Sequence, residues 1–311
     1  MSEFGYFHDP LSRNSLNLLE SIGEQMIALV VNPNAGGKVA RAYFAAKDFL
    51  RENSIEHTLV SAENPDQSRA EISELAPDLL IVIGGDGTLH SLTGFAVEQN
   101  IPIILLPAGS GNDSARKLGL TKKSSAQILA IGLLEKSFTE IDVMRVTVAE
   151  GVFFSTGTIS AGLDSRVNQR TNNYRFGGFL KYPIGLLREL PDFQAVDYKL
   201  VIDGKESVFR GMLCSVSNSG IFGGGMKIVP DAQISDGSLE LFTVSEISKS
   251  ELLKVFPRVY QGTHLSHPAV KVNSLKTIKL SAEVPIYADG EPLGFGGFEA
   301  EVVSKALKIA L

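Results

Sequence analysis

The sequence predicts a protein of two domains, an α/β domain built on a parallel sheet and a following domain of antiparallel strands. Strand-length apolar runs alternate with helix-length segments as far as residue 134, and this alternation is typical of βαβ units. From about residue 138 onward, short alternating runs are separated by Gly, Asn and Asp turns. The length of 311 residues is too great for one typical domain and sufficient for two.

The α/β pattern follows an irregular lead over residues 1–23. It predicts strands and helices in alternation. The strands are 26–32, 55–60, 78–83 and 101–106, and the helices are 38–53, 66–75 and 88–99, with short helical pieces to residue 134. Ligands bind such parallel sheets at the carboxyl ends of the strands, where the strand-to-helix loops lie.

Three of these loops are rich in Gly and Asn, and all three follow strands of the same predicted sheet. They comprise residues 32–37, 84–88 and 107–113. Because the carboxyl ends of parallel strands share one edge of the sheet, we expect the three loops to converge there. Each loop taken alone could equally be a tight turn with a helix N-cap, for which Asn112 or Asp113 would be suitable.

The loop after the third strand carries the clearest chemical signal. Gly84, Gly85 and Gly87 allow backbone N–H groups to approach a bound phosphate, and the dipole of the following helix favours its negative charge. The carboxylate of Asp86 fits beside a phosphate only with a cation between them, and Mg²⁺ held partly through water is the obvious one. The loop therefore predicts Mg-nucleotide chemistry. The structural alternative is a tight turn in which Asp86 caps the helix.

The second domain is predicted as an antiparallel sandwich or barrel with one helix over residues 249–260. Its strands are 140–148, 152–158, 198–202, 208–216, 238–244, 277–282 and 285–288. The closing segment, residues 298–311, could return to either domain. The predicted division is an α/β domain over 24–140, a second, antiparallel domain over 141–297, and this closing segment.

Two segments of the second domain carry acidic groups. Asp289 and Gly290 stand between strand-like runs and predict a hairpin turn. The carboxylates of Asp289 and Glu291 could act together there, one as a base and one as a metal partner, although solvated acids on a turn are the plainer alternative. Asp236 could form a small cation site with neighbouring backbone carbonyls, for which its spacing alone is weak support.

Several classes of protein are excluded or disfavoured. The chain has no Gly-x-x-x-x-Gly-Lys-Ser/Thr motif and is not a P-loop NTPase, and residues 109–114 lack the third glycine of the dinucleotide fingerprint. A net charge of −6 argues against a nucleic-acid-binding protein. No apolar stretch reaches about 18 residues, so no transmembrane helix is expected. The single cysteine, Cys214, fits a reducing cytosol and a place in the core.

The stretch 166–190 is locally basic, with aromatic and aliphatic residues between its charges. Its charged residues are Arg166, Arg170, Arg175, Lys181, Arg188 and Glu189. A solvated helix with an apolar face explains this pattern. The alternative is a surface that meets anionic lipid headgroups, and any such membrane contact would have to be peripheral.

Together the motifs resemble those of the diacylglycerol-kinase catalytic superfamily, in particular the soluble bacterial lipid kinases. The resemblance extends from Val31 to Leu293. Residues 84–88 match the Gly-Gly-Asp-Gly-Thr loop, 32–36 resemble Asn-Pro-x-Ser-Gly, 107–116 resemble Pro-x-Gly-Thr-x-Asn-Asp-Phe-Ala-Arg, 230–239 match Pro-x-Ala-x-x-x-Asp-Gly-x-Leu, and 289–291 match Asp-Gly-Glu.

This resemblance implies an ATP-dependent lipid kinase that acts on the hydroxyl of a diacylglycerol-like lipid at a membrane surface. It implies a parallel-sheet domain like that of NAD kinases and phosphofructokinases, a β-sandwich domain, and an active site in the cleft between them. Glu291 matches the general base, and Asp86, Asp113 and Asp289 match the acidic network that organises the catalytic Mg²⁺.

The resemblance also assigns binding residues. The nucleotide contacts fall on Asn32, Ser61, Gly84, Gly85, Asp86, Gly87, Thr88, Leu89, His90, Ser91, Ser110 and Asn112. Asp236, with backbone oxygens of Gln233 and Ser238, matches a structural Mg²⁺ site.

The sequence departs from the family pattern at several of these positions, among them Ser110 in place of a threonine and His90 in place of an asparagine, a histidine that also occurs in the sphingosine-kinase branch. Ser91 stands where the family usually has a glutamate, which leaves the metal and nucleotide geometry less certain, and Ser61 replaces a threonine but keeps the hydroxyl. Two alternative functions remain: an NAD kinase-like enzyme, which shares the Gly-Gly-Asp-Gly loop, and an inactive nucleotide- or lipid-binding protein. The sequence does not name the lipid, and it leaves the oligomeric state open, a homodimer included. The predicted location is cytoplasmic, with peripheral membrane contact and no nucleic-acid partner.

Overall fold

The computed structural model describes residues 25–32, 36–61, 64–172 and 180–311. The predicted lead, residues 33–35 of the first glycine loop and the centre of the basic stretch, Arg175 included, lie outside the described residues. Within the described ranges, no helix combines the length and hydropathy needed to cross a bilayer.

The first region is a parallel sheet in the order β4-β3-β1-β2 with helices between its strands. The strands are β1 (Ile27–Val31), β2 (Thr58–Ser61), β3 (Leu79–Gly84) and β4 (Ile103–Pro107), and the helices are α1 (Gly36–Glu52), α2 (Pro65–Leu75) and α3 (Asp86–Glu98). Every residue of β1 and β3 is buried, because helices cover both faces of a parallel sheet. The predicted alternation is confirmed, with the second strand starting three residues later, at 58 instead of 55.

Short helices lead out of the first region. They are α4 (Asp113–Lys117), a 3-10 turn at Leu120–Lys122 and α5 (Ser125–Leu129), which continues into a π-turn at Ala130–Leu134. Helix α5 begins with a capping box in which Ser124 and Gln127 exchange hydrogen bonds.

The second region is antiparallel. Its strands are β5 (Phe138–Val148), β6 (Gly151–Ser155), β7 (Thr158–Gly162), β8 (Val196–Ile202), β9 (Lys205–Ser217), β10 (Leu239–Ser245), β11 (Val270–Leu275), β12 (Thr277–Ala288) and β13 (Glu291–Ala310). One core lies between the strands of this region, as a sandwich requires, and Cys214 is buried in it as predicted.

Three predictions for this region are corrected. The predicted strand 152–158 is the end of β6 and the start of β7, whereas 277–282 and 285–288 are one strand, β12, with an irregular register between Ser281 and Pro285. The predicted helix over 249–260 is α8 (Lys249–Val255) followed by a 3-10 turn. Pro257 lacks the N–H that would continue the α-helix. Strand β11 was not predicted.

Strand β13 joins the two regions into one hydrogen-bonded network. It pairs with β12 and β5 along its length, and near its end Ile309 pairs with Ile103 of β4 in parallel. The closing segment therefore contacts strands of both regions.

Two helices that follow β7 lie on the outer face of the second region. They are α6 (Leu163–Thr171) and α7 (Lys181–Glu189), and together with α8 they cover a third apolar core. Both fall within the stretch whose charge pattern was ambiguous in the sequence.

Candidate functional site

Two glycine loops of the first region meet back to back. A Cβ atom built on Gly109 would lie 2.5 Å from the Cα of Gly85, so a side chain at either position would force the loops apart. The backbone N–H of Ala108 donates to the Gly84 carbonyl over 2.8 Å. The predicted convergence of the second and third loops is therefore a feature of the structure.

Asp86 connects the second loop to the helix that follows the third. Its Oδ2 accepts from the backbone N–H of Asp113 and its Oδ1 from that of Ser114, both over 3.0 Å. The carboxylate thus caps α4, not its own helix α3 as the structural alternative supposed. Burial raises the pKa of Asp86, and the nearby charge of Asp289 adds to the shift.

Asn112 does not cap α4 with its side chain. Its Oδ1 accepts from the backbone N–H of Gly109 over 2.8 Å, and its Nδ2 donates to the Gly109 carbonyl over 3.0 Å. Its backbone is left-handed, with φ of 56°. Asn112 therefore occupies the N-cap position that the tight-turn alternative offered it, but its side chain shapes the loop and makes no cap hydrogen bond.

Asp113 lies beside Asp86. Its Oδ2 accepts from the backbone N–H of Gly224 over 2.7 Å, which connects the first region to the second. Its Oδ1 is buried without a hydrogen-bond partner among the described residues, 3.7 Å from the Arg116 Nε. Burial and the charge of Asp86 raise the pKa of Asp113 to about 6.

The hairpin between β12 and β13 brings a third carboxylate to the site. Asp289 is left-handed, with φ of 52°; its Oδ1 accepts from the Thr158 N–H over 3.0 Å and its Oδ2 lies 3.0 Å from the His90 Nδ1. Burial alone would lower the pKa of His90, but the hydrogen bond and charge of Asp289 and the charge of Glu291 raise it. Sequence reasoning missed this contact, because 199 positions separate the two residues.

Glu291 is exposed and contacts the glycine loop. Its Oε1 lies 2.8 Å from the place where Gly87 would carry a Cβ, so a side chain at 87 would displace the carboxylate. The neighbouring Gly290 carbonyl accepts from the Asn172 Nδ2 over 3.1 Å, which links the hairpin to α6.

Two cavities meet at Glu291. The larger, of about 770 Å³, is lined by residues that include Asn32, Arg69, Thr88, His90 and Ser91. The smaller, of about 310 Å³, is lined by residues that include Asp86, Ser110, Asp113, Asn168, Lys181, Tyr182, Phe222 and Asp289. Gly85, Gly87 and Glu291 line both, so one side chain with an acidic group stands between the two spaces.

Three of the predicted nucleotide contacts, Leu89, Ser91 and Ser61, differ in whether their side chains could reach a ligand. Leu89 is only 1% exposed and packs in the core, so only its backbone is left to meet a ligand. The Ser91 hydroxyl donates to the Thr88 carbonyl over 2.8 Å. Ser61 is exposed at the end of β2 and is not among the described residues that line either cavity.

The acidic groups fit a divalent cation that is shared with a phosphate. Among the described residues, no three His, Cys, Asp or Glu side chains could by themselves hold a metal ion. Mg²⁺ in phosphate sites usually takes only one or two carboxylates, with phosphate oxygens and water completing its shell. Such a cation would stabilise the charged forms of Asp86 and Asp113, whose pKa values burial raises. It would also give the Asp113 Oδ1 a partner, since this atom has no hydrogen bond among the described residues.

The second predicted metal site lies on a loop before β10. The Asp236 Oδ1 accepts from the Ser238 N–H over 3.0 Å, and the buried Asp142 fixes the loop by accepting from the Gly237 N–H over 2.6 Å. Burial and the charge of Asp236 raise the pKa of Glu240, a nearby acid that sequence reasoning missed. The Gln233 Nε2 donates to the Asp231 carbonyl over 3.2 Å, and this bond leaves both oxygens of Gln233 available as acceptors.

Two arginines to which the sequence analysis assigned no role lie beside the loops. The Arg69 Nη1 donates to the Ser91 carbonyl over 3.0 Å, and the Arg116 Nη2 donates to the Gly111 carbonyl over 3.0 Å. Only Arg116 had a sequence signal, since it ends the matched 107–116 motif.

The basic stretch is less free than its composition indicates. The buried carboxylate of Glu189 lies 2.6 Å from the Arg170 Nε and 3.4 Å from the Arg166 Nε. These two arginines therefore hold α6 against α7.

Glycine loops at the edge of a parallel sheet that face an acidic hairpin are typical of two-domain proteins that bind phosphate groups. Comparison with known proteins identifies the family. Residues 26–146 match the model described as the diacylglycerol kinase catalytic domain, and residues 157–311 match the YegS C-terminal NAD kinase beta sandwich-like domain. A diacylglycerol kinase of Mycobacterium tuberculosis (strain CDC 1551 / Oshkosh) is 31% identical over 276 residues, covering 85% of this chain and 88% of the relative. The chain belongs to the diacylglycerol kinase family.

Two further comparisons agree. A diacylglycerol kinase of Staphylococcus saprophyticus is 28% identical over 270 residues, covering 84% of this chain and 82% of the relative. The crystal structure of a diacylglycerol kinase from Bacillus anthracis str. Sterne superposes with a TM-score of 0.65 at 18% identity, covering 92% of this chain and 96% of that chain. At that identity the superposition shows the fold alone.

Proposed function

We propose that the protein is an ATP-dependent lipid kinase that transfers the γ-phosphoryl group of ATP to the hydroxyl of a diacylglycerol-like lipid. The observation that carries the proposal is the place of Glu291, between two cavities and against the glycine loop. The larger cavity takes the nucleotide and the smaller takes the acceptor, so the active site lies where the two regions meet.

Each group has a role that follows from its position. Backbone N–H groups of residues 84–88 and 109–112 cradle the phosphates. Asn32 and Thr88 surround the nucleotide in the larger cavity, and Ser110 meets the transferred phosphoryl group where it enters the smaller one. Mg²⁺ would be held by Asp86 and Asp113 together with the phosphates and would neutralise the transferred group. Glu291 takes the proton of the acceptor hydroxyl, and Asp289, fixed by His90 and the Thr158 N–H, holds the hairpin that carries it.

Two other sites complete the proposal. Asp236 with the backbone oxygens of Gln233 and Ser238 would hold a structural Mg²⁺, and Glu240 adds negative charge there. The protein would act in the cytoplasm and reach its lipid through peripheral membrane contact. Leu187 lies on α7 and Leu180 directly precedes this helix, whose Lys181 and Tyr182 line the acceptor cavity. The two leucines are 59% and 51% exposed and would serve that contact.

The test is a labelled-ATP assay in mixed micelles with diacylglycerol, monoacylglycerol, sphingosine and polyprenol, and with NAD in solution as the rival acceptor. Mg-dependent labelling of a lipid, lost in Glu291→Gln, supports the proposal. Labelling of NAD instead would favour an NAD kinase-like enzyme. ATP binding without transfer to any acceptor would favour the inactive binding protein.

A further inference from the structure

The acceptor cavity has a wall of neutral polar side chains besides its acidic one. Asp86, Asp289 and Glu291 line it on the side of the glycine loop and hairpin. Asn168, Thr171 and Asn172 line it from α6, where positions three and four apart lie on one face of the helix. The second wall is not needed for proton removal or metal binding, so its chemistry can serve selection of the acceptor.

Asn168 is the member of this wall with unused hydrogen-bonding capacity. It is only 8% exposed, and its Nδ2 has no hydrogen-bond partner among the described residues. Its neighbours are engaged, since the Asn172 Nδ2 donates to the Gly290 carbonyl and the Thr171 hydroxyl to the Asn168 carbonyl. A buried donor without a partner is destabilising, and each instance requires an explanation such as a ligand that supplies the acceptor.

The place of Asn168 along α6 indicates which part of a lipid it would meet. One turn earlier on the helix, Asp164 lines a separate apolar cavity, and Tyr182 and Phe222 line both that cavity and the acceptor cavity. Asn168 therefore lies between the reacting groups and apolar space. In an acylglycerol, the ester group lies between the free hydroxyl and the hydrocarbon chain.

We propose that the Asn168 amide donates a hydrogen bond to an ester carbonyl of the acceptor and thereby selects acylglycerols over sphingoid bases. The amide N–H₂ is a donor and requires an acceptor atom. An ester carbonyl supplies one, whereas the ammonium group of a sphingoid base supplies only further donors. This assignment rests on the lipid kinase activity proposed above and names a residue that determines the acceptor specificity of the same site.

The test compares kcat/KM for an acylglycerol, its ether analogue without the carbonyl, and sphingosine. Asn168→Leu is expected to lower the value for the ester about tenfold, the typical effect of one hydrogen bond, and to leave the ether and the KM for ATP unchanged. Asn168→Asp, which replaces the donor by an acceptor, is expected to shift the ratio toward sphingosine. The neighbouring exposed Gln169→Ala is the matched control and should behave as wild type.

Stability separates this role from a structural one. Asn168→Leu removes an unpartnered buried donor, so its Tm is expected to equal or exceed that of the wild type. An equal loss on ester and ether, an unshifted sphingosine ratio, or a lowered Tm with loss on both acceptors would overturn the assignment and leave the lipid kinase intact. A wild-type protein that phosphorylates no lipid would overturn the proposed function, and the assignment with it.

Discussion

The two regions of the molecule contribute different kinds of groups to one site. Besides the carboxylates of Asp86 and Asp113, the first region offers main chain: its glycine loops touch at Gly85 and Gly109, and the strands that carry them are buried except at Pro107. The second region offers side chains, Glu291 and Asp289 on a hairpin and Asn168 on a helix. A change to the main-chain part of the site would disturb the glycine loops. The side chains from the second region can be substituted one at a time.

Asp86 of the first region and Asp164 of the second both have a raised pKa, but different groups hold their carboxylates. Asp86 accepts two backbone N–H groups and caps α4, so its charge is part of the local fold. Asp164 of the second region accepts instead from the Ser215 hydroxyl and the adjacent Ser165 N–H. Substitutions in the first region should therefore affect activity and stability together, and those in the second should separate them.

Glu291→Gln should give the largest effect that leaves the fold intact. Glu291 is exposed, so its replacement leaves no buried group unpaired, while loss of a positioned base typically lowers kcat by about 10²–10⁴-fold. ATP affinity, measured by calorimetry, should hold. Glu299→Gln on the same strand is the control and should keep its kcat; near-normal turnover in Glu291→Gln would remove this residue from the mechanism.

Asp86→Asn should lower both activity and stability. The amide has one oxygen where the carboxylate has two, so one of the N–H groups of Asp113 and Ser114 loses its acceptor, and loss of a cap costs about 1 kcal/mol. We expect kcat to fall about 10²–10³-fold, as for other charge-stabilising groups. Full activity per folded molecule, with an early thermal transition, would show that Asp86 only caps α4.

Asp164→Asn should change the pH dependence of stability. Burial raises the pKa of Asp164 to about 6, above the value of about 3.9 in an unfolded chain. Because the folded pKa is raised, the stabilisation is fully present below about pH 4 and is lost as the pH rises through about 6, by up to about 3 kcal/mol. The wild type should therefore lose stability between pH 4.5 and 7.5 relative to Asp164→Asn in urea unfolding.

Asp113 does not disturb this comparison between the wild type and Asp164→Asn. Its pKa is also raised to about 6, but it is present in both proteins and cancels in the difference. Parallel stability curves for the two proteins would show that Asp164 is not the group whose ionisation opposes folding.

The sequence predicted the parallel sheet well because its signals are local. Each buried strand is a continuous apolar run that ends at a glycine or proline loop, as in 79–84, and the alternation with helices left one topology. The long strand β13 was harder, because glycines at 294, 296 and 297 interrupt its pattern and its partners lie far away in the chain. Pairing of Ile309 with Ile103 has no local signal.

The candidate site divides in the same way. The glycine loops and the hairpin could be predicted as motifs, since each is a short run of neighbouring residues. The contacts of His90 with Asp289, and the capping of α4 by Asp86, depend on folded geometry. The charges of 166–190 were misleading because Glu189, the one acid among them, is buried between two of the arginines.

Asp236→Ala should remove a stabilisation by Mg²⁺ without affecting the nucleotide loops. A cation that binds only the folded protein stabilises it by about 2.7 kcal/mol at a hundred times its Kd. We expect added MgCl₂ to raise the Tm of the wild type and of Asp231→Ala, an exposed acid in the same loop, but not that of Asp236→Ala. A Mg²⁺-dependent shift that survives in Asp236→Ala would place the cation elsewhere.

The smallest effect is expected at the proposed membrane contact. Charge reversal at Arg170 would break its contact with Glu189 and disturb the fold, so the sharper change is Leu187→Asp on the exposed face of α7. Leu187 is 59% exposed, and withdrawing such a side chain from a bilayer costs about 1.5 kcal/mol, or roughly tenfold in affinity. Sedimentation with anionic vesicles should show this loss, while turnover of a short-chain, water-soluble lipid analogue should hold because the reacting groups lie in the cavity. Val208→Asp, at a still more exposed apolar position on β9, is the matched control and should bind vesicles as the wild type does. Equal binding by Leu187→Asp and the wild type would make α7 an ordinary solvated helix.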